Sequence, residues 1–280
     1  MEYCSLMSGS WGNCHYIKGG ATSVLVDAGQ SGKRILTNMA SAGCGSATEL
    51  SAIILTHAHR DHIAGAGVLA RRFSLAVYAT EGTWFEMGLM AKEIPAELRH
   101  IVDSSETWDI GDLRIQAYPT SHDALESVGF VIRHGEDAMG IATDCGVFTS
   151  RMENTLRDIQ FLALEANHDI EMLRTGKYPY YLKKRIAGIS GHLSNDDAGQ
   201  ALSRIAGGRL QRVMLAHLSQ ENNTREKALA SVSSLLPGNA LALSVAPRCI
   251  PGERIIIGQV GGKGIEAGGH SGWQSEGEAL

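Results

Sequence analysis

The stretch Thr56-His57-Ala58-His59-Arg60-Asp61-His62 constrains this chain more than any other. It follows the apolar, β-branched run Ser51-Ala52-Ile53-Ile54-Leu55. It precedes residues 63–73, where apolar side chains recur at helical spacing. That order predicts strand, polar loop, amphipathic helix. The four possible metal ligands therefore sit at a strand's C-terminal end, where open α/β sheets place their ligands. Alternation along an extended loop turns His57 and His59 to one side. Asp61 and His62 fall beside them at the helix start. One ion does not readily use four ligands from so short a loop, so the geometry predicts two adjacent cations. His57 and His59 would bind one, Asp61 and His62 the other. Imidazole and carboxylate suit Zn, Mn or Fe, and the loop lacks the thiolates of a closed structural zinc site. Histidines that merely cap the following helix are the plainer alternative, and the density of ligands argues against it.

His57-x-His59-x-Asp61-His62 resembles the signature of the metallo-β-lactamase superfamily of hydrolases. The resemblance implies an α/β (α+β) fold, a four-layer αββα sandwich with a dinuclear metal site along one edge. It also implies roles for residues at other strand ends. Asp27, after the strand at 23–26, would orient the metal loop without binding metal. His122, after the strand at 113–118, would complete the first ion. Asp144, after the strand at 139–142, would bridge the two, and His217, after 213–216, would complete the second. Cys145 adjoins Asp144, but neighbours on a strand point to opposite faces, so its thiol is expected in the packed interior.

Further strands are expected at 14–17, 75–79, 128–133 and 161–165, with short ones near 241–245 and 254–257. Helices are expected at 31–42, 81–92, 147–156, 198–206 and 224–236. The chain has 280 residues, 44% of them hydrophobic, enough for a sizeable core. No linker or repeat divides it, so one domain over 1–258 is expected. A Gly/Ser-rich tail, 259–280, is expected to be poorly ordered. The start, Met1-Glu2-Tyr3-Cys4-Ser5, has no basic region leading into an apolar run, so no signal peptide is expected. No apolar run approaches the roughly 18 residues of a membrane span. Five cysteines without a CxxC pair fit a reduced, cytoplasmic setting. The net charge of −5 argues against a protein that coats nucleic acid non-specifically. It leaves room for a nuclease that holds its substrate with metal ions and a local basic patch.

Four more blocks narrow the family: Gly9-Ser10-Trp11-Gly12-Asn13-Cys14, Thr120-Ser121-His122-Asp123-Ala124, Glu165-Ala166-Asn167-His168-Asp169 and Gly191-His192-Leu193-Ser194-Asn195. With Tyr178-Pro179 and Leu182-Lys183-x-Arg185-Ile186, they resemble the YycJ/WalJ branch over roughly residues 5 to 250. Ala166 departs from the serine expected there. The resemblance implies 5′-to-3′ exonuclease activity on DNA and a role near mismatch repair.

The residues support phosphodiester chemistry independently, though not uniquely. Two cations a few ångströms apart can hold a phosphate and bring the pKa of a bridging water towards neutrality. Asp61 could orient that hydroxide. His168 and His192 are candidates to protonate the leaving oxygen, against a plainer reading as structural histidines. Arg60, Lys183, Lys184 and Arg185 are candidates for phosphate-backbone contacts, against a plainer reading as a solvated face. The same site type elsewhere hydrolyses thioesters, lactams, lactones, cyclic nucleotides or RNA. A metal-binding regulator without turnover is the alternative of a different class, and the intact ligand set argues against it.

Overall fold

The computed structural model describes residues 1–236, 238 and 241–258. The expected tail, 259–280, and its Trp273 lie outside the described residues. The strands of the first half are β1 (Glu2–Met7), β2 (Cys14–Gly19), β3 (Thr22–Val26), β4 (Leu50–Ile54), β5 (Ala76–Thr80), β6 (Arg99–Val102) and β7 (Thr107–Ile110). Those of the second are β8 (Leu113–Pro119), β9 (Val128–His134), β10 (Asp137–Ala142), β11 (Phe161–Glu165), β12 (Arg212–Ala216), β13 (Ala242–Val245) and β14 (Ile255–Ile256). They form two sheets, ordered β14-β1-β2-β3-β4-β5-β6 and β13-β12-β11-β10-β9-β8-β7.

Apolar residues lie on both faces of the central strands, which explains their near-continuous hydrophobic runs. In β3, Val24 and Val26 pack between the sheets, while Leu25 faces outward. In β11, Phe161 and Ala163 point inward and Leu162 and Leu164 outward. The outward residues are covered by helices. Helices α1 (Gly32–Ser41), α2 (Arg60–Ile63), α3 (Ala66–Phe73) and α4 (Glu81–Met87) belong to the first half. Helices α5 (Ser150–Leu156), α6 (Ile170–Thr175), α7 (Tyr180–Ile186), α8 (Asn195–Ile205) and α9 (Arg225–Leu235) belong to the second. Ile35 of α1 and Leu69 of α3 cover the first sheet, and Met152 of α5, Leu202 of α8 and Val232 of α9 the second. Three apolar layers thus separate four structural layers, the expected αββα sandwich in a single domain. Each wholly buried large side chain contributes on the order of 2–5 kcal/mol against truncation to alanine.

Several element expectations need correction. Residues 81–92 are not one helix: α4 stops where Gly88 takes φ 53°, and a 3₁₀ turn, Met90–Glu93, comes after it. Helix α5 begins three residues later than expected, with the Thr149 side chain accepting from the Met152 backbone N–H. The run after the metal loop divides into α2 and α3 at Gly65, where a Cβ would strike the Gln30 carbonyl. Strands β1, β6 and β7 and helix α6 were not legible, being short, mixed in polarity or placed at sheet edges. Other signals hold. Ser194 caps α8 in a full capping box with Asp197. Among the described residues, no helix is long and apolar enough to cross a membrane.

Candidate metal centre

One end of the sandwich gathers the chemistry. Asp27 follows β3, the loop 57–62 follows β4, and His122 follows β8. Asp144 follows β10, Glu165 closes β11 and His217 follows β12. Among the described residues, four non-glycines have a left-handed backbone, and three of them are Asp27 (φ 62°), Asp144 (φ 55°) and His217 (φ 56°). Such conformations are costly for side-chain-bearing residues and concentrate where a fold forces a functional group into place. Here each turns the chain sharply as it leaves a strand.

The metal loop is clamped from beneath. A Cβ on Gly29 would land on the Asp61 carbonyl, so only glycine permits that approach. The Asn13 N–H donates to the same carbonyl at 2.8 Å, and Asn13 Nδ2 lies 3.3 Å from Asp61 Oδ2. Asp27 accepts from the Thr56 backbone N–H at 2.9 Å and lies 2.7 Å from His62 Nδ1. With Nδ1 engaged there, His62 presents Nε2 to the cluster, 3.3 Å from Asp144 Oδ2.

Ligand atoms within 4.8 Å of one another form overlapping groups: His57, His62 and Asp144; Asp144, Glu165, His192 and His217; and two triads, His57 with His59 and His122 and Asp61 with His62 and His217. Asp144 lies between them: Oδ1 is 3.8 Å from His122 Nε2 and 3.5 Å from His217 Nε2. His57 Nε2, His217 Nε2 and Asp144 Oδ2 are buried without a hydrogen-bond partner in the chain. Buried polar atoms are almost always paired, so three orphans converging with this donor set fit divalent cations.

Electrostatics agree. Burial, and then the neighbouring imidazoles, push His57 well below its ordinary pKa, leaving a neutral ring with a free lone pair. Burial also opposes charge on His62, yet Asp144, Asp27 and Asp61 raise it to about 9. Protons and metal cations compete for such lone pairs in the same negative field.

Glu165 is the residue that sequence reasoning missed. Wholly buried, its Oε1 lies 2.7 Å from His192 Nδ1 and 3.0 Å from His217 Nδ1, and Oε2 accepts from the Cys145 N–H at 2.9 Å. Burial works against its charge, but His192 and His217 hold its carboxyl well below the usual carboxylate range. The signal was present: one acid closes an otherwise apolar strand. Asn13 and Asp123 were also missed as contacts of the site.

The remaining candidates separate. His192 lines the cavity over the triads, about 290 Å³, together with His59, Asp61 and Asp144. Its pKa is raised against burial by Glu165. His168 does not line that cavity and stands in the adjoining one, as do Lys183 and Lys184. Arg185 does reach the metal-side cavity and pairs with Asp123 at its mouth. Arg60 is exposed on α2. Cys145 is buried in the helix-side core, as expected, and so is Ala166, which makes its departure from serine harmless to packing.

Comparison with known proteins agrees with this architecture. The profile of the "Beta-lactamase superfamily domain" matches residues 22–218. Exodeoxyribonuclease YycJ of Bacillus anthracis is 36% identical, covering 84% of this chain and 89% of that protein. Exodeoxyribonuclease WalJ of Streptococcus pneumoniae is 37% identical, covering 87% and 91%. The crystal structure of Zn(2+)-bound PqqB from Methylobacterium extorquens superposes with a TM-score of 0.69 at 17% identity, over 90% of this chain and all of that one, a likeness of fold. A shared fold reaching from the first sheet to the last ligand strand, with relatives this similar along most of their length, leads to one assignment: the chain belongs to the β-lactamase superfamily, in the family of YycJ and WalJ.

Proposed function

We propose that the chain is a metal-dependent exodeoxyribonuclease that shortens DNA from its 5′ end. The observation that carries this reading is the meeting of two ligand triads at one buried carboxylate, Asp144. It is supported by the relatives' name, exodeoxyribonuclease. We assign two divalent ions, Zn or Mn, with Fe compatible with the same donors. Bound there, such ions supply Lewis acidity towards a phosphodiester and bring the pKa of water towards neutrality.

The chain's own residues do the rest. His57, His59 and His122 would hold one ion and Asp61, His62 and His217 the other, with Asp144 a ligand available to both. Asp61 also accepts a hydrogen bond from the attacking water and aims it at phosphorus. His192, oriented by Glu165, whose charge raises its pKa against burial, gives its Nε2 proton to the departing O3′. Asp27 acts through His62, as a positioning residue. Arg185 offers a guanidinium to the phosphate backbone at the cavity mouth, and Arg60 meets the strand farther out. The free thiols, four of the five buried, support a reducing, cytoplasmic setting.

The test is a substrate screen with protein loaded with Mn²⁺ or Zn²⁺: 5′-phosphorylated linear DNA, RNA of the same sequence, a cyclic nucleotide and a thioester. The reading expects mononucleotides released progressively from the DNA 5′ end, and their loss in Asp61→Ala and His62→Ala. Protein inert on DNA but active on the thioester or cyclic nucleotide would overturn it. Preference for RNA would move the assignment to a ribonuclease.

A further inference from the structure

A second cavity, of about 460 Å³, adjoins the first, and His192 lines both. Its walls differ in kind from those of the metal centre. Ile170, Leu173 and Tyr180 line it with apolar surface, Lys183 and Lys184 add positive charge, Arg174 is paired with Glu171, and Asp197 is the one acidic lining residue among those described. Lys184 Nζ stands 5.3 Å from the centroid of the Tyr180 ring, and Lys183 Nζ donates to the Arg174 carbonyl at 2.9 Å. The two ammonium groups are therefore held in place beside the cavity. His168, only 3% exposed, also lines it, and its Nδ1 has no hydrogen-bond partner in the chain. A buried ring nitrogen left without a partner is costly, and in native proteins it ordinarily finds one.

We infer that this cavity takes the nucleobase of the terminal nucleotide, the one whose O3′ departs past His192. The inference rests on the exonuclease reading and deepens it. An aromatic face and an apolar wall suit the flat surfaces of a base. A neutral imidazole at the buried side can meet its polar edge, and the lysines suit the terminal phosphate. The volume is within the range of roughly 300–1,000 Å³ typical of small-ligand sites. Continuity supplies the geometry: a nucleoside placed here reaches the triads across one residue, His192. The arrangement also gives a reason for acting at ends. Two cations treat every phosphodiester alike, whereas an internal nucleotide can turn its base into a side cavity only by bending the strand on both sides.

The experiment compares strands with an intact and an abasic 5′-terminal residue, both 5′-phosphorylated. Wild-type protein is expected to favour the intact strand about tenfold or more in kcat/KM, the scale of one lost base-stacking contact. Ala187→Trp, at an exposed position lining the cavity, fills it and should bring that ratio close to one. Tyr180→Ala removes the aromatic face by an independent route and should lower the ratio as well. Equilibrium binding of the same strands, labelled with fluorescein at the 3′ end, to metal-free protein reads the ratio without turnover. Equal use of intact and abasic strands by wild-type protein, or a wild-type ratio in both variants, overturns the inference and leaves the exonuclease reading intact. Protein inert on every DNA but active on bis(p-nitrophenyl) phosphate overturns both.

Discussion

His62 Nδ1 and Asp27 Oδ2 lie 2.7 Å apart, and both side chains are wholly buried. The contact joins the end of β3 to the start of α2 and settles which ring nitrogen His62 can offer the cluster. A carboxylate behind a ligand histidine fixes its tautomer and makes it a better donor. Asp27→Asn keeps the size and removes the charge. Affinity for Zn²⁺ or Mn²⁺, measured by competition with a chromogenic chelator, should fall about 10–100-fold. Unchanged affinity would show that Asp27 serves only the backbone of Thr56. Asp27→Ala strands a buried partner and should also cost about 3–5 kcal/mol in urea unfolding.

Glu165 and His192 give a prediction about pH. The carboxylate raises the His192 pKa against the effect of burial, so its removal lowers that pKa. A proton donor must start protonated. Activity of Glu165→Gln should therefore decline at lower pH than that of wild type, moving the alkaline limb of the kcat profile to the acid side. His192→Ala should lose about 10²–10⁴-fold in kcat with KM nearly kept. An unmoved limb in Glu165→Gln would separate Glu165 from the proton transfer.

Metal-free protein should have a narrow range of stability. The folded pKa of His62 is about 9, above its ordinary 6.5, and that of His217 is also raised. The stability this contributes is complete below about 6.5 and is lost as pH rises towards 9. Glu165 and Asp144 are held below their ordinary values, so their contribution is present above the usual carboxylate range and is lost as pH falls below it towards their lower folded values. His57 and His15, held below their ordinary 6.5, lose stability as pH falls below that value, so thermal melts in EDTA should peak near pH 6.5. Added Zn²⁺ or Mn²⁺ replaces the protons and should abolish the alkaline decline. At 100 times the dissociation constant it should add about 2.7 kcal/mol. A flat melting temperature from pH 6 to 9 in EDTA would count against the electrostatic account.

Gly29 gives a purely steric prediction. A Cβ there meets the Asp61 carbonyl and the Asn13 N–H, which are backbone atoms that cannot swing aside. Gly29→Ala should destabilise the fold by about 1–3 kcal/mol and displace the metal loop, so that metal affinity falls with stability. A variant with wild-type unfolding and metal binding would mean that the loop moves freely.

Part of this was legible in the sequence because it is local. Six consecutive residues carry four candidate ligands: alternation along an extended loop turns His57 and His59 to one side, and the start of a helix places Asp61 and His62 beside them. Strand ends flagged Asp27, His122, Asp144 and His217, since hydrophobic runs locate strands and the family pattern puts a ligand or its support just beyond them. Glu165 stayed hidden although it closes such a strand. Its role depends on His192 and His217, 27 and 52 residues away, and no local period encodes that encounter.

By itself, then, the sequence placed four candidate ligands on one loop and located most of the strands, because burial on both faces of a strand and short-range spacing are properties of neighbouring residues; the remaining candidate ligands and the layered fold were what the family resemblance implied. Tertiary structure decided which charged groups meet. It paired Arg185 with Asp123 at the metal centre, sent Lys183 and Lys184 of the same helix to the adjoining cavity, and left His168 lining that second cavity alone while His192 lines both. The physical reason is that the site is made of chain ends of strands brought together by two sheets packing face to face. Contacts across that edge are set by the stacking of the whole sandwich and by three left-handed turns, at Asp27, Asp144 and His217.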